Sequence, residues 1–429
     1  MESIFRPFLL SFIERVQDMK TTTIVPLVIL LTAFLLIPLG ANAQDTDESL
    51  YFPWKDPNNP NVILMDPDGS QDGWNVRRDT SKREPGLMDL QRYEVGVMHL
   101  GGFPTFLGAP MALTTEDLKA GGVEVAMVGL NIDDNFIPGG RYAANKLRTL
   151  IDYMGYGVSS YDPTMHLEYT KSLKLADYGN VASHYGHTER SLEEVHKVMT
   201  EILDADAIPM SIGGTHIQMW PMITALAEKY GKENFAVLHV DAHYDAMSIG
   251  MGRYVHNGRM IWQAVERGLI KGSDIVQIGL RSTSPGTADL KWMMDNNLKF
   301  HFQSEINAKG FETVLKRALA ELKGKKLYIS FDMDGIDPAY APGVGTQEPE
   351  GLTASQAMQL LRAATIQNEI VAIEINEYNP FMDDRHETTG ILVDRLMRSA
   401  LAGLAAKKKG ITDPFYVAPT GLNHTPVKQ

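Results

Sequence analysis

The chain has 429 residues, 44% hydrophobic and 22% charged, an ordinary globular composition with ample length for a large buried core. A formal charge of −13 argues against nucleic acid as a partner and is compatible with a cationic one. No cysteine is present, which excludes disulfides, lipoprotein anchoring and thiolate ligands, so any metal chemistry must rest on His, Asp and Glu.

Near the start, Ile24 to Leu39 is an apolar segment shorter than most membrane spans, preceded by Lys20 and followed by Gly40-Ala41-Asn42-Ala43-Gln44. These are the parts of a secretory signal, with cleavage expected between Ala43 and Gln44, a secreted or periplasmic address, and no stable membrane insertion afterwards. Pro26, Pro38 and the short span argue against a retained anchor helix, and Met19-Lys20 would open a signal of ordinary length. Residues 1–43 are therefore read as the signal region, with Met19 a candidate true start. Residues 44–122, rich in Pro, Gly, Asn and Asp, are expected to form an irregular extension packed on the core. The main domain is expected over 123–410, with a loosely held tail over 411–429.

Val123 to Leu130 reads as the first buried strand, and the loop from Asn131 to Arg141 leads into a helix over Ala143 to Met154. Ser191-Leu192-Glu193-Glu194 reads as a capping box at a helix start. Strands are expected at Ile208 to Ile212, Ala236 to Val240, Ile275 to Leu280, Leu327 to Asp332 and Ile370 to Ile375. Between them lie helices beginning near His216, ending near Gly268, lined by Phe311, Val314, Leu315, Ala318, Leu319 and Leu322, and capped at Thr353 to Gln356. A final helix from about Thr388 closes with Lys407-Lys408-Lys409-Gly410. Alternation of strand and helix throughout predicts an α/β fold, a three-layer αβα sandwich around a mostly parallel sheet.

Three of these strands end in metal-type ligands, where open parallel sheets form their sites. On extended backbone Asp241, His243 and Asp245 point the same way. Gly213-Gly214-Thr215-His216 follows one neighbouring strand, and Asp332-Met333-Asp334 ends another with both acids on one side. Each signal alone has a bland reading, as a polar loop, a turn or a helix cap. Together they supply two imidazoles and four carboxylates, whose charge two divalent cations would match, with bridging carboxylates holding them roughly 3.5–4 Å apart. His239 alternates into its strand and His301 sits in an apolar one, so both read as core or structural.

Residues 237–245 resemble one signature of the arginase/agmatinase (ureohydrolase) family. Ser330-Phe331-Asp332-Met333-Asp334, with Asp337-Pro338, Pro342-Gly343 and Gly351 beyond it, resembles the other, and the likeness extends from about Val125 to Ala406. Tyr254 to Gly258, Ala264 to Gly268 and Gln277 to Arg281 are closer to agmatinases than to arginases. The resemblance implies an arginase/deacetylase-like fold. It also implies one metal held by His216, Asp241, Asp245 and Asp332 and a second by Asp241, His243, Asp332 and Asp334, with Asp241 and Asp332 bridging. Manganese is the ion it favours, with nickel, cobalt or iron as alternatives. His256 matches the family's proton-relaying histidine, Glu377 the glutamate that pairs with the guanidinium, and Asp245 is placed to hand over the proton. The implied reaction is hydrolysis of a small guanidino compound, agmatine-like, to urea and an amine, in a trimer or hexamer.

Thr215, Gln347, Glu350 and the stretch Asp177-Tyr178-Gly179-Asn180 depart from the family pattern at positions that are not ligands, which puts substrate identity in question. A guanidine hydrolase, including a nickel-dependent one, or a guanidino-acid hydrolase is the alternative within the class. The long region before Val123, with Phe103-Pro104-Thr105-Phe106-Leu107-Gly108, could close the pocket over a small substrate. The alternative of another class is a non-catalytic binder of cationic solutes, which has no need of six ligands together with His256 and Glu377.

Overall fold

In the computed structural model of the chain, the described residues are 55–56, 59–63, 83–90, 103–133, 139–154, 160–184, 187–249, 256–283 and 285–419. The expected secretory segment, residues 250–255 with Tyr254 and Val255, and the end of the tail lie outside them. Among the described residues no helix is long and apolar enough to cross a membrane. The chain divides into two compact units, Met1–Arg83 and Glu84–Gln429. In the first, Lys55–Asp56 pairs antiparallel with Asn59–Ile63. Residues 84–122, grouped with the extension on sequence grounds, belong to the second unit together with the whole sheet.

The second unit is built on eight parallel strands, β1 (Val125–Leu130), β2 (Leu175–Val181), β3 (Ile208–Ile212), β4 (Ala236–Val240), β5 (Ile275–Leu280), β6 (Lys299–Phe302), β7 (Lys326–Asp332) and β8 (Glu369–Asn376), in the order β6-β5-β4-β7-β8-β3-β1-β2. The inner strands are near-continuous apolar runs because helices cover both faces. Alternate residues feed two separate cores: Leu238, Val240 and Ile278 face one, while Val237, Ile275 and Tyr328 face the other.

The helices are α1 (Thr115–Gly121), α2 (Ala143–Met154), α3 (Thr188–Asp204), α4 (Met219–Tyr230), α5 (Met260–Glu266), α6 (Thr287–Asp295), α7 (Gln303–Lys309), α8 (Phe311–Leu322), α9 (Ala354–Gln367) and α10 (Thr388–Lys408). Residues of α2, α8, α9 and α10 fill the first core and residues of α3, α4, α5 and α6 the second. The three-layer αβα architecture expected from the strand and helix pattern is what the chain adopts.

Two local expectations need correction. α3 begins at Thr188, before the expected capping box, because the Ser191 hydroxyl accepts from the His184 backbone N–H at 2.9 Å and turns back to the His187 carbonyl instead of capping a helix start. β2 was not anticipated; it is an edge strand carrying Asp177, Tyr178, Gly179 and Asn180 where an inner strand would be aliphatic.

The turn after β3 depends on glycine. Gly213 and Gly214 have φ of 92° and 74°, and a Cβ on Gly214 would lie 2.6 Å from the Leu130 carbonyl oxygen and 2.9 Å from that of Ile132. Gly214→Ala is therefore expected to cost about 2 kcal/mol or more in denaturant unfolding of metal-free protein, with the strain falling directly on His216 two residues on.

Candidate metal centre

Four neighbouring strands, β4, β7, β8 and β3, each send a site residue beyond their carboxyl ends. His216 opens the turn after β3, Asp241, His243 and Asp245 follow β4, Asp332 ends β7 with Asp334 in the next turn, and Glu377 follows β8. All are buried except His243 and Glu377, which are half-buried. The six expected ligands come together. His216 Nδ1 lies 3.1 Å from Asp241 Oδ2, 3.0 Å from Asp245 Oδ2 and 3.2 Å from Asp332 Oδ2. His243 Nδ1 lies 3.0 Å from Asp334 Oδ2 and 3.4 Å from Asp241 Oδ1. Asp241 thus turns one oxygen to each imidazole, the arrangement a bridging carboxylate needs. Asp332 turns one oxygen to His216, while its other accepts the Asp334 backbone N–H at 2.8 Å.

These residues fit a pair of divalent cations. His216 Nδ1 and Asp241 Oδ2 are buried, crowded by each other and by neighbouring ligand atoms, yet among the described residues neither meets a partner in hydrogen-bond alignment, as atoms turned toward a common third group would be. The convergent side chains form two sets that share Asp241, one holding His216, His239 and Asp245 and the other His243 and Asp334. All donors are nitrogen or oxygen, suited to manganese, nickel, cobalt or iron.

The electrostatics point the same way. Burial alone would lower the imidazoles of His216 and His243, but hydrogen bonds to the surrounding carboxylates outweigh it, holding His216 well above its usual value and His243 at about 12. Burial and the neighbouring acids push Asp332 and Asp334 up. Burial also works against ionised Asp241, yet the imidazoles around it keep it well below the usual carboxylate range. In the metal-free site, protons on the imidazoles stand in for the missing positive charge.

The outer hydrogen bonds set ligand orientation. His216 Nε2 lies 2.7 Å from Ser330 Oγ, so the ring that gives Nδ1 to a metal donates its other N–H there. Asp334 accepts the Ala242 backbone N–H at 3.0 Å and the Thr346 hydroxyl at 2.9 Å. Thr215 is buried with its hydroxyl unpartnered among the described residues.

His239, read as core from sequence, instead belongs to the cluster. Its ring stacks on His216 at 5.0 Å and 6°, and its Nε2 is 3.2 Å from Asp241 Oδ2. Gln277 Nε2 donates to the Tyr244 carbonyl at 2.8 Å and to His239 Nδ1 at 3.1 Å. A neutral ring that accepts at Nδ1 carries its proton on Nε2 and turns that N–H toward Asp241 Oδ2 without reaching hydrogen-bond alignment, a disposition that suits an orienting group and not a ligand. The available signal was parity: His239 stands two residues before Asp241 on the same face of β4. His301, by contrast, sits between Glu305 and Glu321, 3.1 Å from each, in a structural ion network.

A cavity of about 180 Å³ opens over the cluster, and His216, His243, Asp245, Asp332, His256 and Glu377 all line it, with Tyr244, Met247, Asn257, Ser282 and Thr346 beside them. The structure therefore brings His256, Asp245 and Glu377 to one space with the ligands. His256 Nδ1 accepts the Gly258 backbone N–H at 3.1 Å, which leaves Nε2 to carry the proton of the neutral ring. Glu377 Oε1 accepts the His216 backbone N–H at 2.7 Å. Asp245 and Glu377 both hold left-handed backbone, φ 46° and 60°, a cost that neighbouring packing must sustain. No residue of 103–108 lines this cavity, while much of the long region before Val123 that was expected to close it lies outside the described residues. Phe106 and Leu107 are buried elsewhere: the Phe106 backbone N–H donates to Asp177 at 2.8 Å and its ring lies 3.9 Å beneath the Arg148 guanidinium, itself paired with Asp177.

The model of the Arginase family matches residues 123–403. The chain is 29% identical over 285 residues to the mitochondrial guanidino acid hydrolase of Homo sapiens, covering 66% of this chain and 79% of that protein. It is 30% identical over 297 residues to the guanidinobutyrase of Pseudomonas aeruginosa, covering 68% and 88% respectively. Among solved structures, the crystal structure of a hypothetical agmatinase from Burkholderia thailandensis superposes with a TM-score of 0.65 at 24% identity, covering 75% of this chain and 98% of that one.

Two outcomes are expected of metal binding. Because His216 and His243 are raised and must be neutral to bind, loading at pH 8 should expel at least about two protons per chain, and affinity should rise with pH; calorimetry in buffers of different ionisation enthalpy reads both. His239→Ala should weaken metal affinity about 10–100-fold against a competing chelator, with Gln277→Leu shifting it the same way by less.

Proposed function

The chain belongs to the arginase family, and from that premise we propose that it is a binuclear-metal ureohydrolase, releasing urea and an amine from a small guanidino compound of the agmatine kind. The observation that carries this reading is the shared cavity, in which Asp245, His256 and Glu377 face the same space as the ligand cluster. A binder of cationic solutes would need Glu377 for charge but would have no use for six convergent ligands with a relay histidine beside them.

His216, Asp241, His243, Asp245, Asp332 and Asp334 would hold the divalent cations, whose chemistry when bound would be to lower the pKa of water and so supply a nucleophile at neutral pH. Glu377 receives the planar guanidinium through paired hydrogen bonds, and its anchorage on the His216 backbone N–H fixes the substrate carbon relative to the ligands. Addition of water to that carbon and cleavage of its bond to the alkyl-bearing nitrogen give urea and the amine. Asp245 takes the proton released from the water and passes it to the departing nitrogen, and the Nε2 side of His256 relays protons between this space and solvent.

Manganese is the first choice of ion, supported by the all-nitrogen and oxygen donor set and by the family resemblance, with nickel, cobalt and iron able to use the same ligands. The small cavity keeps free guanidine and guanidino acids as alternative substrates. A homo-oligomer, trimer or hexamer, and a secreted or periplasmic location belong to the same proposal. The first rests on the family resemblance, the second on Lys20, the apolar segment from Ile24 to Leu39 and the small-residue end at Ala43.

The test is urea release by residues 44–429, loaded separately with Mn and Ni, from agmatine, guanidinobutyrate, guanidine and arginine. At least one substrate should give urea under one of the metals; none doing so overturns the assignment. Glu377→Gln should lower kcat/KM roughly 10²-fold with metal content unchanged, and Asp332→Ala retaining full activity would contradict the ligand assignment.

A further inference from the structure

A second cavity, of about 490 Å³, lies where α9 and α10 meet the short antiparallel pair Tyr161–Asp162 and Leu167–Glu168. It shares no lining residue with the metal cavity. We propose that it is a binding site for a small oxyanion carrying at least two negative charges, a phosphate or a polycarboxylate.

Three of its walls are arginines: Arg362 from α9, and Arg395 and Arg398 from α10. Arg395 and Arg398 are held in place by Asp394, and Arg398 also donates to the Tyr169 hydroxyl at 3.0 Å. Arg362 is different. It is half-buried, its one hydrogen bond is a 3.3 Å contact to Ser399 Oγ, and it makes no ion pair among the described residues. Burial lowers its pKa, the mark of a guanidinium short of compensation, and the one acid that acts on it is Asp162. Asp162 Oδ1 is already occupied, accepting the backbone N–H groups of Thr164 and Met165 at 2.8 Å each.

Taking charge out of water without a partner is costly, so a cationic recess is satisfied by an anion. With Asp162 spent on backbone N–H groups, the Arg362 guanidinium keeps positive charge to offer a ligand. Guanidinium forks recognise phosphate and carboxylate oxygens in pairs, and the hydroxyls of Thr164, Ser355 and Ser399 along the walls can donate to the remaining oxygens. The volume lies within the roughly 300–1,000 Å³ of ligand sites, more than a monovalent ion needs.

The test uses the full chain with its metals, titrated with inorganic phosphate and with citrate at constant ionic strength by calorimetry. Saturable binding of either probe is expected, phosphate and citrate telling the two oxyanion classes apart. Arg362→Met should weaken it at least about tenfold, with metal content, circular dichroism and urea release in anion-free buffer unchanged. Should Arg362→Met fail to fold, Arg395→Met on the more exposed wall is expected to weaken binding likewise. Absence of saturable binding for both probes, or equal binding by the variants, overturns the proposal. So does a sedimentation change in Arg362→Met without any anion binding by the parent, which would make the counter-charge a second copy of the chain.

Discussion

The fold has to hold four carboxylates within hydrogen-bond distance of two imidazoles, nearly out of water. Without cations, that concentration of like charge would force protons onto Asp332 and Asp334 and spread the acids apart. With cations between them, the same crowding becomes the source of affinity. The all-parallel sheet allows this by ending four adjacent strands side by side, so that ligands remote in sequence meet within five residues of their strand ends.

Keeping those loops still is the task of a second layer. Beneath His216 a column runs from Ser330 into the sheet, where the Tyr328 hydroxyl donates to Glu374, whose acid burial pushes up in pKa. To one side, Gln277 and His239 hold Asp241. On another, Arg281 donates to the carbonyls of Asp334 at 2.6 Å, Glu348 at 3.0 Å and Pro349 at 2.9 Å, tying both ends of the loop that carries Asp334 and Thr346 to the end of β5. The charge of Arg281 thus serves backbone dipoles. Glu350 in that loop adopts a left-handed φ of 65°, and its carboxylate is held by Asn307 at 3.1 Å.

Much of this was legible in the chain. β3, β4 and β5 have the boundaries expected, because strands buried on both faces are written as unbroken aliphatic runs between glycines and acids. The apolar face of α8 and the capping box at Thr353 followed local rules that tertiary contacts did not override. His239 was missed because its role depends on Gln277, its partner across the β4–β5 pairing, 38 residues away in sequence. β2 was missed because an edge strand can carry polar residues that pair sideways, as Asp177 does with Arg148. The same pair explains the misreading of 103–108: its aromatic residue is buried under a guanidinium supplied by α2, which spacing within the segment cannot reveal.

The strand order also has a meaning in time. After β3 the chain leaves a gap, builds β4, β5 and β6 beyond it, and returns with β7 and β8 to fill the space between β3 and β4. His216 and the Asp241, His243 and Asp245 group are therefore synthesised first, yet have no common wall until residues 326–376 are threaded between them. A chain emerging in order carries most of its ligands for over a hundred residues without a place to assemble them. The six-ligand arrangement therefore exists only once the sheet is closed, because Asp332 and Asp334 arrive on the strand that closes it.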